Sequence, residues 1–388
     1  MDNAPFSSLS PRVQRWLAAL SLTVILTALL ANARDRYLMD FVSFWAAAKL
    51  TVGGGATQAY DVAAHHAVQL QALPIDTLLP FAYPPPFLFA IAPLGWLPYA
   101  IAAPLWIGAT LLAFAIAARS LMPGHTGLAL AFPAVALCAI TGQNGLLTAA
   151  LFLCGMATMS SRPLLAGAIL GCLVIKPQLG LLLPLVLIAG REWRAFAGAA
   201  ASVVTLCIAS TLVFGLDAWR GFFQQVGLMG SIATDNLVGW EKMASVYAGL
   251  RLLGGGDAVA WAAHLAVAAA GAVVVWRVWR STSDPLTRAA ILAPASLLVS
   301  PYLYIYDQVW LVASFAWLAR DRANSWLIVA LMGFPIASAI QFGSPAALLN
   351  PAPLLTLALL GLVAVRQLWG PRHELPHRHD LRIAQSSR

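Results

Sequence analysis

A chain of 388 residues that is 60% hydrophobic and only 10% charged cannot clothe a soluble globule, since ordinary domains carry roughly 25% charged residues. Long Ala, Leu and Val runs replace the alternating pattern of a barrel, which leaves an all-α, polytopic integral membrane protein. The net charge of +8 sits in short loops and in the tail from Arg366, where Arg marks topology and touches anionic lipid, so no nucleic-acid partner is expected.

In chain order, a first span is predicted near residues 13–33, behind Arg12 and Arg15. It is long and lacks a small-residue cleavage site, so it is expected to be a retained anchor with the N-terminus inside. A first extracytoplasmic loop, residues 34–97, should hold a short helix after Asp40 and a Gly53-Gly54-Gly55 break. An amphipathic surface helix is expected to follow from Asp61 to Leu73. Residues 85–97 form either a span or a re-entrant segment bearing Pro93.

Further spans are predicted near 99–118, 126–141, 145–160, 163–175, 178–190, 196–214, 258–276, 289–303, 308–319, 324–342 and 352–369. The total is about twelve, a span needing about 20 apolar residues or fewer where neighbours shield its ends. Pro177 divides 163–175 from 178–190, and two short helices are preferred to one kinked helix because Arg162 and Arg191 then share a side. A second extracytoplasmic loop, 215–257, carries Trp219, Phe222, Phe223, Trp240 and Tyr247. The whole, 1–388, is expected to be one membrane-embedded domain with both termini cytoplasmic and a basic tail at 370–388.

The polar residues sort into two sets. Arg-rich clusters (Arg119, Arg162, Arg191/Arg194, Arg277/Arg280, Arg320/Arg322) fall on the predicted cytoplasmic side. Asp, Tyr, Lys and Gln fall on the other. Asp40 opens a helix at the bilayer edge, where it is either an N-cap or a general base held against an apolar wall. Asp61 invites the same pair of readings. Lys176 stands within apolar sequence on both sides, where a charge costs about 3 kcal/mol on insertion scales. It is either a snorkelling side chain or a cation that receives a lipid phosphate, with Gln178 and backbone groups freed at Pro177 as added donors. Gly142-Gln143-Asn144-Gly145 makes a tight turn whose amides could meet sugar hydroxyls. Tyr83 lies in a Tyr-Pro-Pro-Pro run, and Tyr302, Tyr304, Tyr306 and Asp307 crowd the end of another span, where an acid wants a partner or a ligand.

Cys138, Cys154, Cys172 and Cys207 lie in apolar runs without C-x-x-C spacing and are expected to be small core residues. His65-His66 and the tail histidines His373, His377 and His379 are expected to be solvated or lipid-facing. No metal site is expected. Polar residues gathered on one face favour an enzyme over a transporter or flippase, which needs a polar path between both faces. A lipid-linked oligosaccharide ligase or polymerase would share that arrangement.

The ordered set Asp40-Phe41-x-x-Phe44-Trp45, Tyr60-Asp61, Phe81-x-Tyr83-Pro84-Pro85, Gly142-Gln143-x-Gly145, Lys176-Pro177 and Ser300-Pro301 resembles glycosyltransferase family 87. These are polyprenyl-phosphate-mannose-dependent α-mannosyltransferases of the GT-C superfamily. The resemblance implies a GT-C fold with its active site between the first loop and the membrane surface. It implies Asp40 as the position matching the family's catalytic carboxylate, a polyprenyl-phosphate sugar donor, a lipid or glycan acceptor, and no cofactor. It also implies a bacterial-type plasma membrane location with chemistry on the extracytoplasmic face. Many members carry His shortly after Ser-Pro, where this chain has Tyr304, Tyr306 and Asp307.

Overall fold

The computed structural model describes residues 39–73, 79–236, 239–321, 324–341 and 351–370, with Arg12, Trp16, Ala19, Leu20, Leu22, Thr23, Leu26 and Thr27. Most of the predicted first span, the tail beyond residue 370 and its histidines lie outside the described residues. Among those described, no strand occurs and the architecture is helical throughout.

The first loop folds as three short elements. Helix α1 (Met39–Val52) stops at Gly53-Gly54-Gly55, where Gly54 takes φ +83°, a conformation only glycine enters freely. A 3₁₀ turn (Ala56–Tyr60) leads into α2 (Val62–Ala72), the predicted surface helix. Residues 85–97, either a span or a re-entrant segment by sequence, hold a short apolar helical stretch. They form α3 (Pro86–Ile91) and a 3₁₀ turn (Ala92–Trp96). Gly95 is pressed so closely on the Ala48 backbone that a Cβ could not fit.

Then come α4 (Tyr99–Leu121), α5 (Thr126–Leu130), α6 (Pro133–Thr141) and α7 (Gly145–Thr158). The predicted 126–141 span is thus two helices, because Pro133 supplies no N–H to the turn before it and instead starts a new helix. Pro163 and Pro177 likewise start α8 (Pro163–Gly171) and α9 (Pro177–Gly180), with a 3₁₀ turn (Cys172–Ile175) between and α10 (Leu183–Ala189) after. Short helices thus replace one kinked helix, in more pieces than the two expected. Helix α11 (Trp193–Phe214) runs against α8 backbone to backbone: a Cβ on Gly167 would fall on the Ala195 carbonyl, and one on Gly198 on the Leu164 carbonyl. Small residues at a helix contact are how apolar helices associate without a hydrophobic driving force between them.

The segment 215–257 is not an irregular loop. It contains α12 (Leu216–Thr234), whose Ala218, Phe222 and Gln225 are buried at the i, i+4, i+7 spacing of one helix face. Helix α13 (Val246–Leu252) follows, then α14 (Asp257–Ser281), α15 (Pro285–Val299), a 3₁₀ helix (Ile305–Leu311), α16 (Val312–Leu318), α17 (Ser325–Gln341) and α18 (Ala352–Leu368). Among the described residues 3 helices, α4, α11 and α14, are long and apolar enough to cross a membrane. The others are shorter, and α15 and α16 are almost wholly buried.

Candidate active site

Asp40 lies within the first turn of α1, where the helix dipole favours a carboxylate. Its neighbours Phe41, Phe44 and Trp45 are buried and form its apolar wall. The Phe44 ring meets those of Tyr83, Phe87 and Trp106 edge-on at 5.2, 5.1 and 5.9 Å. The Tyr-Pro-Pro-Pro run is fixed by Tyr60, whose hydroxyl donates to the Tyr83 carbonyl at 3.0 Å. This leaves the Tyr83 hydroxyl free to donate to Gln143 Oε1 at 3.2 Å. The Gln143 side chain in turn lies close enough to the Asp40 carboxylate to favour its charged form. Burial pushes that carboxyl above its ordinary 3.8, against Gln143 and the positive charges of Lys242 and Lys176, which pull it down.

The turn carrying Gln143 is built by Gly142, which ends α6 at φ 71° as a left-handed cap. Trp106 Nε1 donates to the Gly142 carbonyl at 2.9 Å, and Cys138 Sγ lies 3.2 Å from the Gln143 carbonyl. A Cβ on Gly145 would stand 3.0 Å from the Tyr306 carbonyl and 3.1 Å from Cys138 Sγ. Glycine there lets the turn close on the Ile305–Leu311 helix.

Lys176 sits at the break before Pro177, with φ −145° and ψ 72°. Its Nζ donates to both oxygens of Asp307, at 2.6 and 2.8 Å, and to Asn144 Oδ1 at 3.3 Å. It lies 5.2 Å from the Tyr306 ring. Both charged side chains are buried, Lys176 4% and Asp307 0% exposed. The lysine that stands alone in apolar sequence is therefore already half of a neutral pair. Asn144 Nδ2, beside it, is buried without a hydrogen-bond partner among the described residues, a donor that a water or a ligand would satisfy. Tyr304 and Tyr306 stack at 5.3 Å. The second loop straps down beside them through the Ala244 N–H, which donates to the Leu303 carbonyl at 2.6 Å, and the Met243–Tyr304 bridge.

The structure thus gathers Asp40, Tyr83, Gln143, Asn144, Lys176 and Asp307. Three predicted residues stand apart. Asp61 is exposed and caps α2, its Oδ1 accepting from the Ala64 N–H at 2.7 Å. Gln178 is half-buried and hydrogen-bonds no described residue through its side chain. Tyr302 packs on Tyr247 and Trp261 at 6.3 and 6.2 Å, at the rim. His65 is a correction: it is 1% exposed, not solvated, with Nε2 3.2 Å from Ser43 Oγ, because Phe81 closes over it. Trp106, Cys138, Tyr304 and Tyr306 also build the site, beyond the residues that sequence singles out as binding groups. The pairing of Lys176 with Asp307 has a signal in sequence, since each is a lone charge in apolar surroundings and needs an opposite one. Among the described residues, no group of three His, Cys, Asp or Glu side chains is placed to hold a metal ion.

A helical membrane protein with a carboxylate held against an aromatic wall, beside a buried cation and an unpartnered amide, has the make-up of a membrane-embedded glycosyltransferase. Residues 81–301, more than half of the chain, match glycosyltransferase family 87, and the chain belongs to that family. It is 27% identical, over 84% of its length and 83% of the relative's, to a protein of Mycolicibacterium smegmatis. That relative is named a polyprenol-phosphate-mannose-dependent alpha-(1-2)-phosphatidylinositol pentamannoside mannosyltransferase. A protein of the same name from Mycobacterium tuberculosis is 29% identical over 67% of this chain and 65% of its own. No solved structure matches the chain significantly.

Proposed function

We propose that the protein transfers a mannosyl residue from a polyprenyl-phosphate donor to a lipid or glycan acceptor on the extracytoplasmic face of a bacterial-type plasma membrane. The observation that carries this reading is the convergence of Asp40 with the Lys176–Asp307–Asn144 group. They come from distant segments of a family 87 chain. The relatives' names supply the donor class and suggest a phosphatidylinositol mannoside type of acceptor.

In this mechanism the donor enters from the lipid with its phosphate beside Lys176. Asp40 takes the proton of an acceptor hydroxyl, whose oxygen attacks the anomeric carbon from the face opposite the phosphate. The new C–O bond forms as the sugar–phosphate bond breaks, configuration inverts, and polyprenyl phosphate leaves with the electron pair. Lys176 offsets the charge that gathers on the leaving phosphate. Asn144 Nδ2, Gln143 and Tyr83 orient the sugar. A general base of this kind contributes about 10²–10⁴-fold, and alignment of two substrates held by one membrane contributes further. Asp61 and Tyr302 act at the margin, by holding α2 and the aromatic packing against Tyr247 and Trp261, and Gln178 has no assigned part in the reaction.

The reading takes the chain, 1–388, as one membrane domain with about twelve spans and both termini cytoplasmic. Mass spectrometry of envelope glycolipids tests the function in three strains: deleted, complemented with wild type, and complemented with Asp40→Asn. A hexose lost on deletion and restored by wild type alone supports transfer. Full restoration by Asp40→Asn would move a ligase, polymerase or flippase ahead.

A further inference from the structure

At the far end of the bundle a second polar pocket has no part in the reaction described above. It is a cavity of about 390 Å³ lined by Gly190, Arg191, Arg280, Thr282, Ser283 and Arg288, with Trp279 at its back. Helix α14 fixes where it lies. Its first residue, Asp257, accepts a hydrogen bond from Tyr247 at 2.7 Å, and the Tyr247 ring meets Tyr302 at the rim of the Asp40 site. Its last residues line the pocket. A helix of 25 residues is about 37 Å long, slightly more than the hydrocarbon core of about 30 Å. The pocket therefore sits at the opposite membrane boundary.

The pocket is built, and its charge is unbalanced. Arg288 is its fixed wall: its guanidinium donates to Glu192 Oε1 at 2.6 Å, the Thr282 carbonyl at 2.8 Å and the Trp279 carbonyl at 3.2 Å. It also lies over the Trp279 ring at 4.9 Å. Space is tight at Gly190, where a Cβ would stand 3.1 Å from both Arg288 and Trp279. Arg191 takes φ 56°, a left-handed conformation that costs a non-glycine residue about 1–2 kcal/mol. It is held there by the Glu192 N–H, which donates to the Leu187 carbonyl at 2.8 Å. Glu192 answers Arg288 alone. Arg191, Arg280 and the Ser283 hydroxyl have no side-chain partner among the described residues. Two unanswered guanidinium groups and a hydroxyl around one cavity match the fork geometry and charge of a phosphate.

We propose that this pocket binds a phosphate-bearing anion, seated from the bilayer as the head group of an anionic phospholipid. The test uses full-length protein purified in detergent and native mass spectrometry with phosphatidylglycerol, phosphatidylcholine or inorganic phosphate. Wild type should retain phosphatidylglycerol over phosphatidylcholine, and Arg191→Gln/Arg280→Gln should weaken that retention about tenfold. Gly190→Ala, which leaves the net charge alone and crowds the wall, should weaken it too. Arg194→Gln/Arg277→Gln removes the same charge from exposed positions outside the pocket and should leave retention unchanged. Displacement of the lipid by millimolar inorganic phosphate would assign the same chemistry to a soluble phosphate. Absence of any preference together with no phosphate binding, or equal loss in the Arg194/Arg277 variant, would overturn the proposal.

Discussion

Removing the Asp307 charge is the sharpest test of how the site is built. Asp307→Asn leaves Lys176 Nζ, 4% exposed, facing a neutral amide where it now has carboxylate oxygens at 2.6 and 2.8 Å. The remaining partners are the Asn144 carbonyl oxygen at 3.3 Å and the face of Tyr306, neither of which carries charge. Breaking a buried ion pair from one side costs about 3–5 kcal/mol, because the surviving charge stays desolvated. Replacing both partners by apolar side chains of similar size is near neutral. The double variant Lys176→Met/Asp307→Leu should therefore unfold close to wild type, while Asp307→Asn unfolds well below it. In a transfer assay the order differs: the double variant should be inactive, since it has lost the cation beside the donor phosphate, while Asp307→Asn retains it. Thermal unfolding in one detergent at one scan rate, paired with the transfer assay, reads the two orders. If Asp307→Asn unfolds at the wild-type temperature, the pair is not buried as described and the reasoning fails.

Other outcomes follow from the same geometry. Since burial holds the Asp40 carboxyl above 3.8 and the base form is the active one, kcat/KM should fall with acid through a limb above the ordinary carboxylate range. Lys242→Met should push that limb higher, and a limb unmoved by the substitution would separate Lys242 from Asp40. His65, buried neutral with its pKa lowered from 6.5 to about 4 by desolvation, stabilises the fold fully above pH 6.5. That contribution is lost as pH falls from 6.5 to about 4, up to about 3 kcal/mol at the limit; unfolding scans of wild type and His65→Leu across this window should converge at acid pH. Tyr83→Phe removes the donor to Gln143 Oε1 and should lower fold stability by about 1 kcal/mol, the worth of one neutral hydrogen bond, and slow transfer by loosening Gln143; unfolding and transfer assays of the variant check both.

Features written locally in the chain are legible from its residues alone. The Lys176-Pro177 break, the Gly142 turn, the Gly53-Gly54-Gly55 stop and the cap at Asp61 each depend on a few adjacent residues, and each is found. Convergence of Asp40 and Lys176 is legible through the sorting of polar residues between apolar runs. Partners distant in sequence are not. The Lys176–Asp307 pair closes across 131 residues: each lone charge signals that it needs an opposite one, but nothing near either residue says which. His65 reads as solvated because its burial comes from Phe81, 16 residues further on (81 − 65). Helix α12 lies within the predicted second loop, and its buried face is set by the distant Tyr60: Gln225 Nε2 donates to the Tyr60 carbonyl at 2.8 Å. Span boundaries drift wherever proline restarts a helix, since apolar length alone does not say where a run is broken.

The central claim is that Asp40 is the base of a transferase. It is tested most directly by incubating purified protein with radiolabelled polyprenyl-phosphate mannose and a lipid acceptor extract, and comparing wild type, Asp40→Asn and Asp61→Asn. The account predicts transfer by wild type with inverted anomeric configuration and a loss of at least about 100-fold in Asp40→Asn. It predicts substantial activity in Asp61→Asn, whose side chain caps a helix away from the cluster. Transfer by folded Asp40→Asn at the wild-type rate would contradict it.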